Sequence, residues 1–409
     1  MKAAVRKLAV ISLHTSPLTQ PGSGDSGGMN VYVRELVAAL AQAGVVCDVY
    51  VRAWAPDLPP KVDVESGFRV IHVPAGPYDL PKELLGDVVD EFTAGVRRHI
   101  AADPGTAAIH ANYWLSGVAG HALKHELDIP LVCTFHTLAR VKADRGDHEP
   151  TGRIEAETEV ISCCDAILAN SEAEADQLER YYGADRERVE IVPPGVDHAF
   201  FSPGDRRGAR RALNIDDDRP ILLFAGRIQP LKGLDVAIGA LSALNRTDAQ
   251  LVVVGGPSGP EGEAHMAGCR QLVDDAGLAN RVIFRPPQPH HLLSSYYRAA
   301  DVCLVPSRSE SFGLVALEAA ACGTPVVAAA VGGLLTLVDD GVTGLLVEER
   351  QSSAFAKAVN SILEDDQLAV RLGSAAAAKA RGYTWSTTAG RLRRIYADLA
   401  VRELVECGA

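Results

Sequence analysis

The chain lacks a run of apolar residues long enough to cross a bilayer. The stretch 314–338 comes nearest, and Glu318, Gly323, Pro325, Gly332 and Gly333 divide it into helix, turn, strand and turn. The apolar part of the N-terminus runs straight into a first strand and is too short for a secretory signal, so a cytoplasmic protein is expected. Basic charge is also in deficit. Lys and Arg number 40 against 52 Asp and Glu, and a net charge of −12 argues against a nucleic-acid partner, although a few local cations suffice for one small phosphate. The eight cysteines show no zinc-like spacing, and the adjacent Cys163 and Cys164 read as a helix end; the set suits the thiols of a reducing compartment rather than a disulfide framework. No fixed-period repeat or low-complexity tract stands out. An Asp-x-Asp metal motif is missing from the strand-end loops, since Asp216, Asp217 and Asp218 fall in a linker; no metal and no cofactor are expected.

What is present is the pattern of a soluble two-domain α/β protein. At 409 residues the chain exceeds the size at which one core keeps growing, and 47% hydrophobic with 22% charged residues is an ordinary globular balance. Short Val/Ile/Leu-rich runs alternate with amphipathic segments, as in parallel sheets with crossover helices. Strands are predicted near 7–13, 47–52, 68–73, 107–111, 130–135, 165–169 and 188–192, and again near 220–225, 249–255, 281–284, 301–305, 325–329 and 343–346. Val33, Leu36, Val37 and Leu40 mark one helical face between the first two. The expected division is an N-terminal domain over 1–200, a Pro/Gly/charge-rich linker over 201–218, a C-terminal domain over 219–385, and a last helix within 386–409 that packs back on the first domain. The fold class is two doubly wound Rossmann-like domains facing across a cleft, with ligands beyond the carboxyl ends of the strands.

Several loops at those ends carry groups suited to a nucleotide sugar. Glu310 and Glu318, eight positions apart, flank the start of a helix that follows the apolar run 301–306. Free N–H groups at such a start attract an anion, Gly313 permits close approach of a diphosphate, and the two carboxylates can accept from sugar and ribose hydroxyls. The bland alternative is a capped amphipathic helix with two ordinary glutamates. Arg227 and Lys232, five residues apart after the strand at 220–225, can converge two cations on one diphosphate, where charge builds as a glycosidic C1–O bond breaks; a solvated surface pair is the alternative. Gly27 and Gly28 before a helix bring backbone N–H groups to a phosphate or sugar, or belong to a flexible loop. A dinucleotide site would hold its glycines tightly between strand and helix, and the loop here is longer.

With Gly226-Arg227, Lys232 and the run from Glu310 to Glu318, the second half resembles the family 4 retaining glycosyltransferases of the GT-B fold. The first half, in Gly27-Gly28-Met29-Asn30-Val31-Tyr32, Asn112-Tyr113-Trp114 and Phe135-His136-Thr137, is similar to the mycothiol-pathway branch of that family. The resemblance implies retaining transfer of N-acetylglucosamine from UDP-N-acetylglucosamine to 1D-myo-inositol 3-phosphate. It implies donor contacts from Gly28, Arg227, Lys232, Glu310, Phe312, Gly313 and Glu318, with His136, Arg227, Lys232 and Glu310 around the reacting centre. Asn30, Lys82, Tyr113, Thr137 and Arg153 would hold the acceptor, the last with Lys82 and Thr137 around its phosphate. Partners are therefore small-molecule substrates; a homodimer stays open. Departures from the family pattern are the short segment before Lys82, Asn112 where His is usual, and Gln288 in a base-side loop. Transfer of glucose or another hexose from a UDP- or GDP-sugar to an acceptor such as fructose 6-phosphate remains an alternative, as do a UDP-N-acetylglucosamine 2-epimerase-type enzyme and a non-catalytic sugar-nucleotide sensor.

Overall fold

The structure is a computed structural model that describes residues 5–407 apart from 23, 25, 145, 147, 148, 216–218 and 260, so the Asp216-Asp217-Asp218 run lies outside the described residues. The chain forms two compact units. One comprises Met1–Thr19, Met29–Pro194 and Trp385–Ala409; the other comprises Gln20–Gly28 and Gly195–Thr384.

The first unit is built on eight strands: β1 (Lys7–Ile11), β2 (Val46–Arg52), β3 (Lys61–Glu65), β4 (Phe68–Val73), β5 (Ile109–Asn112), β6 (Leu131–Thr134), β7 (Ala166–Ala169) and β8 (Val189–Ile191). Their order is β3-β4-β2-β1-β5-β6-β7-β8, parallel throughout except where β3 meets β4. The helices are α1 (Gly28–Gln42), α2 (Val89–Ala102), α3 (Trp114–Leu127), α4 (Ala139–Ala143), α5 (Arg153–Cys163) and α6 (Glu172–Tyr182). Continuous apolar runs are buried here because helices cover the parallel strands. Ile11, Ile109, Ala111 and Leu131 face Phe92, Val96 and Ile100 of α2 in one core, and Leu8, Val10, Val49 and Val70 face Val33, Leu36, Val37 and Leu40 of α1 in another. The edge strand β3 was not expected from the sequence. It alternates charged residues with half-buried valines, Val62 and Val64 packing against the core beside α1 while the charged face stays exposed, so it is not a continuous apolar run.

The second unit has six parallel strands, β9 (Ile221–Ala225), β10 (Gln250–Val254), β11 (Val282–Arg285), β12 (Val302–Val305), β13 (Val326–Ala329) and β14 (Leu345–Val347), in the order β11-β10-β9-β12-β13-β14. Around them lie α7 (Arg206–Leu213), α8 (Leu234–Ser242), α9 (Gly262–Asp275), α10 (His290–Ala299), α11 (Leu314–Ala321), α12 (Leu334–Leu337), α13 (Ser352–Leu363) and α14 (Asp366–Ala380). The described part of the expected linker, 201–215, is not a free linker. It carries α7, whose buried Arg210 donates to Ala299 O (2.9 Å) and Asp301 Oδ2 (2.6 Å), so it is a structural part of this unit. The glycine-rich loop 20–28 also groups with the second unit rather than the first: Gln20 Nε2 donates to Pro287 O at 3.0 Å.

The last helix, α15 (Trp385–Leu399), joins the first unit. Its Trp385, Leu392, Tyr396 and Leu399 enter the core beside α1, and each such side chain contributes about 1.5–3 kcal/mol on burial. Tyr396 Oη also pairs with His110 Nδ1 at 2.8 Å on β5. Behind α15 the chain returns to α3 and α5, where Cys407 forms a disulfide with Cys163; this pair departs from the expectation that all the cysteines are thiols. The other six are free and buried.

Candidate functional site

In an open parallel sheet the crevice for ligands lies where strand order reverses, beyond the carboxyl ends. In the second unit that point falls between β9 and β12, and the loops leaving these two strands carry Arg227, Lys232 and Glu310. Backbone crowding there demands glycine. Gly233 has φ +76°, and a Cβ on it would lie 2.4 Å from Pro306 O; Gly313 has φ +105° and would meet Leu334 Cδ2 at 2.6 Å. Gly313 is the N-cap of α11 and brings no side-chain cap to the first N–H groups of that helix. Gly27 leaves room for Arg227: a Cβ would sit 2.8 Å from its Nε. Gly28 lies against Leu314 at 3.5 Å by the same measure. Phe312 is buried, its ring 5.7 Å from that of Tyr383.

Lys232 and Glu310 form an ion pair, and Ser307 Oγ donates to the same carboxylate oxygen at 2.9 Å. The ammonium expected at a diphosphate and the carboxylate expected at a sugar are thus held together. Glu318, 5% exposed, takes His290 Nε2 on one oxygen at 2.6 Å and Tyr297 Oη on the other at 2.8 Å. A carboxylate has about four acceptor positions, so two remain for hydroxyl donors. His290, the first residue of α10, escaped the sequence reading because nothing in its neighbourhood marks it as the partner of a residue 28 positions away.

In the first unit the reversal lies between β1 and β5. His14, beyond β1, and Tyr113, beyond β5, bring their rings to 4.4 Å. Tyr113 has φ 77° and ψ 160°, and His136, beyond β6, has φ 61°. Positive φ is costly for residues with a side chain, and such positions concentrate at functional sites. His136 Nε2 is 3.0 Å from Asn112 Oδ1, and its ring meets Tyr32 edge-on at 4.9 Å. Burial, with His110 adding to it, lowers the His136 pKa to about 3, so the imidazole is neutral at physiological pH and acts as a hydrogen-bonding group. Asn112 is fully buried, and its amide nitrogen has no partner among the described residues.

Arg153 meets Thr137 and Tyr113 of the expected acceptor residues, and its partners among the described residues do not include Lys82. Arg153 is 1% exposed, its guanidinium lies 4.8 Å over the Tyr113 ring, and it donates to Tyr113 Oη (3.2 Å), Thr137 O (2.9 Å) and Thr137 Oγ1 (3.1 Å). The same group donates to Glu157 Oε1 at 2.7 Å and pairs with Glu149, which also pairs with Lys142. Glu149 therefore sits between two cations, a place sequence reasoning did not assign. Asn30 is buried and directs its amide at Thr15 Oγ1 (2.6 Å) and Ser16 O (2.7 Å), so in this structure it fastens the loop after β1. Lys82 opens a 3₁₀ turn, Lys82–Val88, on the connection leaving β4.

Comparison with known proteins agrees with this architecture. Residues 26–200 match the model described as Glycosyltransferase Family 4, and residues 205–379 match Glycosyl transferases group 1. The chain is 45% identical over 410 aligned positions to a D-inositol 3-phosphate glycosyltransferase of Xylanimonas cellulosilytica, covering 97% of each. It is 47% identical to the protein of that name from Actinosynnema mirum, covering 96% of this chain and 97% of the other. Among solved structures, sucrose-phosphate synthase from Thermosynechococcus elongatus superposes with a TM-score of 0.90 at 34% identity, over 96% of this chain and 99% of that one. Anabaena HepE superposes at 0.79 and 21% identity, over 96% and 100%, a likeness of fold. Two Rossmann-like units, matched in turn by the two glycosyltransferase family models, define a GT-B glycosyltransferase. The chain belongs to the family 4, or group 1, glycosyltransferases.

Proposed function

We propose that the protein transfers N-acetylglucosamine from UDP-N-acetylglucosamine to 1D-myo-inositol 3-phosphate with retention at the anomeric carbon. The observation that carries the acceptor assignment is the Arg153 cluster, read together with the names of the relatives at 44–47% identity. Glu149 lies between Arg153 and Lys142, so two cations already meet on one anionic group; a phosphate monoester makes the same demand and displaces Glu149 on binding. Thr137 and Tyr113, fixed by Arg153, supply hydroxyls to the same place.

On the donor side, Arg227, Lys232 and the N-terminus of α11 stabilise the diphosphate as negative charge builds on it, and Glu318 accepts from the ribose. Glu310 exchanges its bond with Lys232 for the hydroxyls of the transferred sugar. His136, neutral, positions the donor sugar. The departing phosphate oxygen takes the acceptor hydroxyl proton on the same face, so no side chain serves as base and no covalent sugar–enzyme intermediate forms. Neither a cofactor nor a catalytic metal enters this scheme.

A second reading, hexose transfer to fructose 6-phosphate, is favoured by the 34% identity and 0.90 TM-score to a sucrose-phosphate synthase. A panel of UDP-N-acetylglucosamine, UDP-glucose and GDP-mannose against inositol 1-phosphate, inositol 3-phosphate and fructose 6-phosphate separates the two. The proposal requires the highest kcat/KM for the first donor with inositol 3-phosphate. A preference for fructose 6-phosphate replaces it with the second reading, and turnover of the sugar nucleotide without any acceptor replaces transfer with epimerisation or hydrolysis.

A further inference from the structure

His121 and His125 are four residues apart on α3, so both imidazoles leave the same face of the helix. Their ring centroids are 4.9 Å apart. Cys163, the last residue of α5, and Cys407, from the tail beyond α15, approach that face. One ligand atom from each of the four side chains lies within 4.8 Å of the others. His125 Nε2 is 3.0 Å from Cys407 Sγ, and His121 Nε2 is 3.5 Å from the same sulfur.

The tail is delivered here by contacts that do not involve the sulfurs. Buried Lys124 donates to Val405 O at 2.9 Å and to Cys163 O at 2.7 Å, while Val405 N donates to Asp165 Oδ1 at 2.7 Å. A Cys163–Cys407 disulfide accounts for two of the four side chains. It gives no reason for two imidazole nitrogens to converge on one sulfur, because divalent sulfur is a weak acceptor. A shared cation gives that reason.

We propose that, with its thiols reduced, this chain binds one Zn²⁺ through His121, His125, Cys163 and Cys407 in a closed tetrahedral site. Two thiolates and two imidazoles are a ligand set that zinc prefers, and a four-ligand shell leaves no position for water or substrate. Tetrahedral geometry at zinc places ligand atoms about 3.3–3.8 Å apart, so the two sulfurs separate and the Cys407 tail shifts slightly to admit the ion. Each cysteine releases its proton as it ligates. His121 turns its other ring nitrogen, Nδ1, toward Glu159 Oε1 at 3.6 Å, the outer carboxylate that holds a zinc-bound imidazole in the Nε2-ligating tautomer. The ion clips the C-terminal tail to α3 and α5. It lies toward the C-terminal end of α3, remote from Tyr113, which immediately precedes that helix. A structural ion is therefore the class of site, independent of the transfer chemistry proposed above. The ligands are scattered at 121, 125, 163 and 407, and only the His-x3-His pair is visible without the fold.

The test uses the full chain purified in thiol reductant without chelator. Elemental analysis after desalting should find one zinc per chain. Exchange of Co²⁺ for zinc should give intense tetrahedral d–d bands and a thiolate charge-transfer band. His125→Ala and Cys407→Ser should each lose both signals while transfer activity is retained. Fully reduced wild-type chain that takes up neither zinc nor cobalt overturns the proposal, as does a Cys163–Cys407 bond that survives reductant and leaves both cysteines unalkylated. The cobalt spectrum of the wild type decides the matter even where a variant fails to fold.

Discussion

Replacing Lys232 with alanine should slow the chemical step far more than it weakens the fold. The side chain is 22% exposed and its partner Glu310 15% exposed. Glu310 keeps the Ser307 hydroxyl at 2.9 Å, and water reaches the rest of the carboxylate, so the stability cost falls between that of a surface pair and a broken buried one, about 1–2 kcal/mol. A donor aimed at charge that develops only in the transition state is worth ~2.7–4 kcal/mol, a factor of about 10²–10³ in kcat. The assay is steady-state UDP release with both substrates varied, beside a urea denaturation of the same preparation. A fall of at least about 10² in kcat with a modest shift in the denaturation midpoint is expected. Lys232→Ala that keeps kcat within about tenfold of the parent and instead raises only the acceptor KM would refute the placement of this ammonium at the leaving group.

Arg153→Lys keeps the charge and loses the fork that reaches Thr137 and Tyr113, so the KM for a phosphorylated acceptor should rise about 10–100-fold, with the donor KM little changed; equal effects on both substrates count against the pocket. Gly233→Ala places a Cβ against Pro306 O and a side chain at φ +76°, and a loss of at least about 1–2 kcal/mol in urea denaturation is expected; unchanged stability would mean the turn is looser than described. Acid should destabilise the first unit. Burial lowers His110 and His136 to about 3, below the ordinary 6.5, so the unfolded chain binds more protons there and stability falls as pH drops below about 6.5. Glu174, raised by burial to about 7 from 4.5, works in the opposite direction between those values. The three together leave one excess proton on the unfolded chain between pH 6.5 and 4.5, about 1.4 kcal/mol per pH unit. Glu174→Gln should roughly double that slope, to about 2.8, and an unaltered slope contradicts the assignment.

All the strands except the edge strand β3 were legible because a strand covered on both faces must be a continuous apolar run, as in Ile221–Ala225 and Gln250–Val254. The positions of Arg227, Lys232, Glu310 and Glu318 followed from the same logic, since function collects at carboxyl ends. What those groups touch was not legible. Lys232 and Glu310 are 78 residues apart, and only the adjacency of β9 and β12 brings them together. The strained backbone at Tyr113 and His136 carries no sequence mark because neither is glycine. Arg153 entered the phosphate pocket only through the family resemblance, and its burial was not legible because it depends on Glu149 and Glu157 beside it. The linker was misread because Pro, Gly and charge also describe a short helix whose arginines are anchored on Asp301.

The central claim is that the protein carries a sugar from a nucleotide to a phosphorylated cyclitol with its anomeric configuration kept. An NMR time course of UDP-N-acetylglucosamine with inositol 3-phosphate tests it directly. The account predicts that the donor anomeric signal is replaced by that of an α-linked product, at the rate UDP appears, and that neither changes when the acceptor is omitted. A β-linked product, or UDP released at the same rate without acceptor, would contradict it.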